Sequence, residues 1–201
     1  MNIDAPQRSD SAKGARQRAR ILEAAAGQFL AHGFAAASVR AIAKDAGTQP
    51  STLYYYYTSK EDLLVAVHAE GMQRIQDAVS GALSDDDEPW DRLETACVAH
   101  LEALLEGGVI FQAVMREMPS ALSAEAMETI RRMRDGYELI FVRLLDDLAL
   151  PRGTDRHDLR LMLLGALNWS FSWYRPGRNS PAELARTYVK YLRNGLDLTK
   201  P

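Results

Sequence analysis

Apolar residues recur along this chain at three- and four-residue spacing, and nowhere in the alternating pattern of a half-buried strand. Ile21, Leu22, Ala25, Phe29 and Leu30 make one apolar stripe, which predicts a helix over Lys13–His32 stopped by Gly33. Ser38 is placed as the N-cap of a short second helix, with Val39, Ile42 and Ala43 inward, Arg40 and Lys44 outward, and Gly47 at its end. Pro50 suits the first turn of a third helix, anchored by Leu53 and by either Tyr54 or Tyr57. Two short helices joined by a tight turn behind a longer one predict a helix-turn-helix over 13–60, and residues 1–12 read as a loose tail. A fourth helix starts after Ser59, with Glu61 and Asp62 in its first turn, and connects to the rest through Leu63, Leu64, Val67 and Ile75. Five more helices are expected near 90–106, 108–118, 123–148, 155–175 and 181–197, divided by Gly107, Pro119, Pro151 and Pro176-Gly177. The predicted fold is all-α, with a three-helix front end joined by the connector helix to a helical body over 61–201.

With 47% hydrophobic residues in 201, a sizeable core is available. Cys97 is the one cysteine, which excludes an intrachain disulfide and a cysteine-cluster metal site; it reads as a small buried hydrophobe. Met1–Ser11 is too polar for a signal peptide, and the longest apolar run, Leu159–Trp173, is too short and interrupted for a membrane span, so a cytoplasmic location without membrane contact is expected. A net charge of −3 argues against indiscriminate coating of nucleic acid. Its distribution changes that picture: residues 1–60 hold eight Lys/Arg against four Asp/Glu, a basic front end on an acidic body.

The most informative stretch is Thr48–Lys60, with Tyr54, Tyr55, Tyr56 and Tyr57 in a row. Successive helical side chains turn by about 100°, so these four cannot share one buried face, and some must look outward. A helix entering a major groove needs short polar groups for base edges and longer donors for phosphates. Thr48, Gln49, Ser51 and Thr52 suit the first task; Tyr54, Tyr56 and Lys60, assisted by Thr58, suit the second; Tyr55 reaches a base or the sugar wall. Ser38, Arg40 and one of Arg16, Arg18 and Arg20 are further candidates for phosphate contact.

The run Arg16–Leu64 resembles the DNA-binding domain of the TetR-type transcriptional regulators. The likeness lies in Ala25, Phe29 and Gly33, in Ser38-Val39-Arg40-Ala41-Ile42-Ala43 through Ala46-Gly47, in Leu53-Tyr54 through Tyr57, and in Lys60-Glu61-Asp62-Leu63. The resemblance implies a homodimer whose two recognition helices read a palindromic double-stranded DNA operator. It also implies that Tyr54 and Lys60 hold phosphates, with Tyr56 at the usual histidine position. Thr48-Gln49-Pro50-Ser51 departs from the family pattern in the segment facing the bases.

The C-terminal part offers no nucleophile–base pair and no metal-ligand spacing, so neither an enzyme nor a bound cofactor is expected. His32, His68, His100 and His157 read as surface or second-layer residues, and Glu117 beside Arg116 as a surface ion pair in preference to a pocket pair. Gly165–Gly177 mixes small residues, which permit close helix approach, with Asn168, Trp169 and Trp173, so it reads equally as a dimer seam or as a pocket wall. Helices 155–175 and 181–197 are the candidate homodimer interface. The Trp173-Tyr174-Arg175-Pro176-Gly177 tail is similar to that of TetR-type repressors of fatty-acid and sterol-ring catabolism, which implies an acyl-CoA effector, with Arg175 or Arg178 at a coenzyme A phosphate and Asn168 or Trp169 along an acyl channel. Met72, Leu101, Leu105, Phe111, Met115, Met133, Tyr137 and Phe141 are pocket candidates that serve equally well as core. A small aromatic or drug-like effector, and a constitutive DNA-binding protein without ligand, remain alternatives.

Overall fold

The helical repeats fold as the spacing demands. The computed structural model describes residues 5–116 and 122–196, in the order α1 (Ala5–Ala36), α2 (Val39–Asp45), α3 (Pro50–Tyr56), α4 (Lys60–Ala82), α5 (Pro89–Glu106), α6 (Val109–Arg116), α7 (Ala124–Asp146), α8 (Arg156–Trp173) and α9 (Pro181–Leu196). Among the described residues there is no strand. The expected end of the 108–118 helix, with Glu117 and Met118, lies outside the described residues.

One boundary differs from expectation. Helix α1 begins at Ala5, so Ala5–Ala12 is helical where a loose tail was expected. Pro6 is pre-organised for a first helical turn, and Gln7, Arg8 and Ala12 are good helix formers, so nothing there stops the helix growing out from the packed turns behind it. At the other end Gly33 takes φ 75° and ψ 159°, which breaks the helical path inside α1. Ser38 caps α2 as expected, its Oγ accepting from the Ala41 N–H at 3.1 Å. Ser59 does the same for α4, accepting from the Asp62 N–H at 3.0 Å.

By compactness the chain forms two units, a division distinct from the functional one drawn at 60/61. The first takes α1 to α3, α4 as far as Gly71, α6 and α7 to Ile130; the second takes the rest of α4 and α7 with α5, α8 and α9. In the first unit Ile21, Leu22, Ala25, Phe29, Ile42, Leu53, Leu63, Leu64 and Val67 close into one core with Ile110 and Ala113 of α6. Gly71 permits this contact: a Cβ there would come within 3.0 Å of Val114 Cγ2. Glu61 adds a polar tie, accepting from Ser123 N–H at 2.6 Å and Ser123 Oγ at 3.0 Å, while Ser123 caps α7.

In the second unit α5 packs on α8 and α9 through Leu93, Cys97, Leu101, Leu163, Leu167, Leu184 and Val189, all buried. Arg92 bridges Asp85 and Asp147 at 3.3 and 3.0 Å, and Arg156 donates to the carbonyls of Leu145 and Leu148, the latter at 3.0 Å, satisfying the C-terminal end of α7. Ser180 and Glu183 form a capping box at the start of α9, with mutual bonds of 2.7 and 3.2 Å, and the donated bonds hold the Glu183 carboxyl below its usual range.

Gly27 lies in the middle of α1, and a Cβ there meets nothing within 4 Å. Gly27→Ala should therefore stabilise the protein by about 0.5–1 kcal/mol. Urea denaturation reads this directly, and an unchanged or lower midpoint refutes it.

Candidate nucleic-acid interface and effector site

Helix α3 is seven residues long, and what it shows to solvent follows from what it buries. Leu53 and Tyr57, one turn apart, are both buried, which settles the choice left open between Tyr54 and Tyr57 as second anchor. Tyr57 Oη accepts from Arg18 Nε at 3.3 Å; burial raises its pKa, opposed by that bond. Tyr54 and Tyr55, turned away from the anchors by their helical positions, are 54% and 83% exposed. Tyr56 is half-buried between Tyr55 and Tyr57, with ring centroids 5.3 and 6.4 Å away, and its hydroxyl lies 3.7 Å from where a Cβ would stand on Gly14 of α1.

At the start of the same element Gln49 is the N-cap without a side-chain capping bond, so its amide is not committed to the helix end. Gln49 and Ser51 are exposed, while Thr48 and Thr52 are half-buried. Ser38 and Arg40 are exposed at the beginning of α2. Thr58 spends its hydroxyl on the Asp62 carboxylate. Lys60 is engaged as well: Nζ donates to the carbonyls of Ala35 and Ala37 at 3.0 Å each and lies 4.7 Å over the Phe34 ring. Ala35 lies in the last turn of α1 and Ala37 directly follows it, so the ammonium ties α4 to the end of α1.

In the second unit the polar centre is His100, buried rather than at the surface or in a second layer as its sequence setting suggested. The signal was present: His100 follows Cys97 by three residues and precedes Leu101 and Leu104, on the apolar stripe of α5. Its Nε2 lies 3.2 Å from Asn168 Oδ1 and its Nδ1 2.6 Å from Tyr137 Oη. Asn168 Oδ1 can only accept, so Nε2 carries the proton and Tyr137 donates to Nδ1. Phe141 stands edge-on to both rings, at 5.9 and 5.8 Å. Burial lowers the His100 pKa to about 4, opposed by the Asn168 bond, and pushes the Tyr137 hydroxyl and the Cys97 thiol up. The ring is thus neutral, and its two nitrogens orient a tyrosine and an amide.

The other expected pocket residues divide. Leu101, Tyr137 and Phe141 are buried and Asn168 half-buried around His100, with Leu105 and Met133 half-buried in the same unit. Phe111 and the half-buried Met115 belong to the first unit through α6, and Met72 is the first residue of α4 in the second. Trp169 and Trp173 lie on the outward face of α8, Trp169 70% exposed, while Arg175 and Arg178 are exposed beyond its end. Among the described residues no group of His, Cys, Asp or Glu is arranged to hold a metal ion.

Two family profiles match the chain: "Bacterial regulatory proteins, tetR family" over residues 21–67 and "Tetracyclin repressor-like, C-terminal domain" over 86–196. The chain belongs to the TetR family of bacterial regulatory proteins. It is a DNA-binding transcriptional repressor of that family. It is 31% identical over 161 residues to the HTH-type transcriptional repressor SCO4008 of Streptomyces coelicolor, covering 76% of this chain and 77% of that one. It is 25% identical over 191 residues to the HTH-type transcriptional repressor KstR2 of Mycolicibacterium smegmatis, covering 90% and 91%. Its fold matches that of AibR in a crystal structure with isovaleryl coenzyme A and operator DNA, with TM-score 0.75, 24% identity and coverage of 88% and 97%.

In this TetR-family chain the bonds of Lys60 give it a structural task. Lys60→Met should lower stability by about 1–2 kcal/mol through the lost charged hydrogen bonds, yet leave the salt dependence of DNA binding unchanged. Thermal melts and salt titrations of DNA affinity check the two halves separately. His100 makes stability pH-dependent: its folded pKa, about 4, lies below the unfolded value near 6.5, so the unfolded state takes up the proton first. The His100 contribution is complete above about pH 6.5 and is lost as pH falls towards 4, on the order of 3 kcal/mol in all. Urea denaturation between pH 7.5 and 4 should show that slope, and His100→Gln should flatten it.

Proposed function

We propose that this protein is a ligand-responsive repressor that binds a palindromic operator as a homodimer and is released by a hydrophobic effector, an acyl-CoA thioester. The observation that carries the DNA half is the split of the tyrosine row: Leu53 and Tyr57 hold α3 down while Tyr54 and Tyr55 stand in solvent beside exposed Gln49 and Ser51. In this reading Gln49, Ser51, Thr48 and Thr52 meet base edges, and Tyr54, Tyr55, Tyr56, Ser38 and Arg40 meet the backbone. The dimer is supported by the outward face of α8, where Leu161, Met162, Trp169 and Trp173 are exposed around Gly165 and Ala166, with exposed Tyr191 on α9. A second copy covers that face.

The effector half rests on the His100–Tyr137–Asn168 row, a hydrogen-bonded polar line in an otherwise apolar interior, and on the likeness to AibR, whose structure holds isovaleryl coenzyme A. Release follows if the effector binds the conformation unfit for DNA more tightly, and α4, unbroken from Lys60 to Ala82, is the element that carries the displacement. A cytoplasmic location goes with this function; among the described residues no single helix is long and apolar enough to cross a membrane.

The test uses a duplex recovered by the protein from a random-sequence pool, titrated with and without isovaleryl-CoA and palmitoyl-CoA. DNA affinity should fall at least tenfold with one of them. Unchanged affinity across both thioesters overturns the acyl-CoA reading, and release by a small aromatic compound instead would replace it.

A further inference from the structure

Three neighbouring side chains at the start of α4 reach three different parts of the fold. Lys60 Nζ donates to the carbonyls of Ala35 and Ala37 at the end of α1, Glu61 meets Ser123 at the start of α7, and Asp62 accepts from Thr58, just past the end of α3. Successive helical side chains turn by about 100°, so a single turn can face three neighbours at once. The Lys60 and Asp62 contacts join α4 to the helix-turn-helix. The Glu61 contact joins it to α7.

That last contact is two-pronged: one carboxylate oxygen accepts the Ser123 N–H at 2.6 Å and the other accepts the Ser123 hydroxyl at 3.0 Å. The hydroxyl in turn accepts the Ala126 N–H at 3.2 Å, so its proton and a lone pair are both committed, and the carboxylate stands at the positive end of a 23-residue helix. Charge-assisted and bidentate, the tie is stronger than an ordinary surface ion pair. Behind it Leu122 packs on the core of the first unit, and Ala126 and Ile130 are buried. The apolar contacts hold α7 close, and the carboxylate sets where its first turn begins. The same helix carries Tyr137, whose hydroxyl is bonded to His100.

We propose that the Glu61–Ser123 contact is a latch that makes the first turns of α7 respond to DNA bound at α3 and, because coupling between sites is reciprocal, makes α3 respond to a displacement of α7. It rests on the reading of α3 as the recognition helix. The path is short: Tyr57 closes α3 onto the core, Thr58 bonds Asp62, and Glu61, beside Asp62, holds Ser123. Glu61 is a positioning residue, which acts without touching DNA or effector.

The test follows hydrogen exchange by mass spectrometry in residues 122–130 and 48–58, with and without a saturating duplex recovered by the wild type from a random-sequence pool. In the wild type the duplex should slow exchange in both segments, by at least about fivefold in 122–130. Ser123→Asp keeps a residue that caps α7 but sets a second carboxylate against Glu61, and Glu61→Ala removes the acceptor. Both variants should keep the slowing in 48–58 and lose it in 122–130. Glu61→Gln/Ser123→Asp places an amide donor opposite the new carboxylate and should restore the response. Circular dichroism melts confirm that all three variants fold. A wild-type response confined to 48–58, single variants that respond in 122–130 as the wild type does, or a double variant without rescue overturns the proposal. Exchange in 48–58 that the duplex leaves unchanged in the wild type would instead overturn the reading of α3.

Discussion

A helix of seven residues has almost no stability of its own in water, because nucleation is unfavourable and too few hydrogen bonds follow it. Whatever α3 presents to DNA must therefore be held from behind. Leu53 is sealed into the core built by Ile21, Leu22, Phe29 and Ile42, and Tyr57 closes the same face one turn on, with its hydroxyl bonded to Arg18. The exposure of Tyr54 and Tyr55 is the geometric remainder of that anchoring. A change that loosened the anchors would alter the exposed face of α3 without touching Tyr54 or Tyr55.

The polar groups around α3 are divided between holding and reading. Lys60 and Glu61 tie the start of α4 to the end of α1 and the start of α7, while Ser38 and Thr58 bond within the first turns of α2 and α4. Gln49 makes no side-chain capping bond and Ser51 is exposed, and in the proposed function these two meet bases.

In the second unit the corresponding constraint is a single buried imidazole. A neutral ring in an apolar interior is tolerable only when both nitrogens are satisfied, and Tyr137 and Asn168 do that from α7 and α8. Three helices are thereby held in one register by two hydrogen bonds. Under the proposed function, an effector that entered this packed interior would have to keep or replace those bonds.

Helix number, their approximate limits, the caps at Ser38 and Ser59 and the inward stripe of α1 were legible in the sequence, because they depend on residues three or four apart. The all-α class and the family followed from the same short-range information. Two long-range facts were not legible: that Lys60 would bond the carbonyls of Ala35 and Ala37, and that His100 would meet Tyr137 and Asn168. Each joins residues more than twenty positions apart. Sequence by itself determined which elements form and that a short helix with four adjacent tyrosines must expose some of them. Only the tertiary structure decided which polar groups are already bonded, because a side chain's availability depends on the partners that packing brings within hydrogen-bond reach.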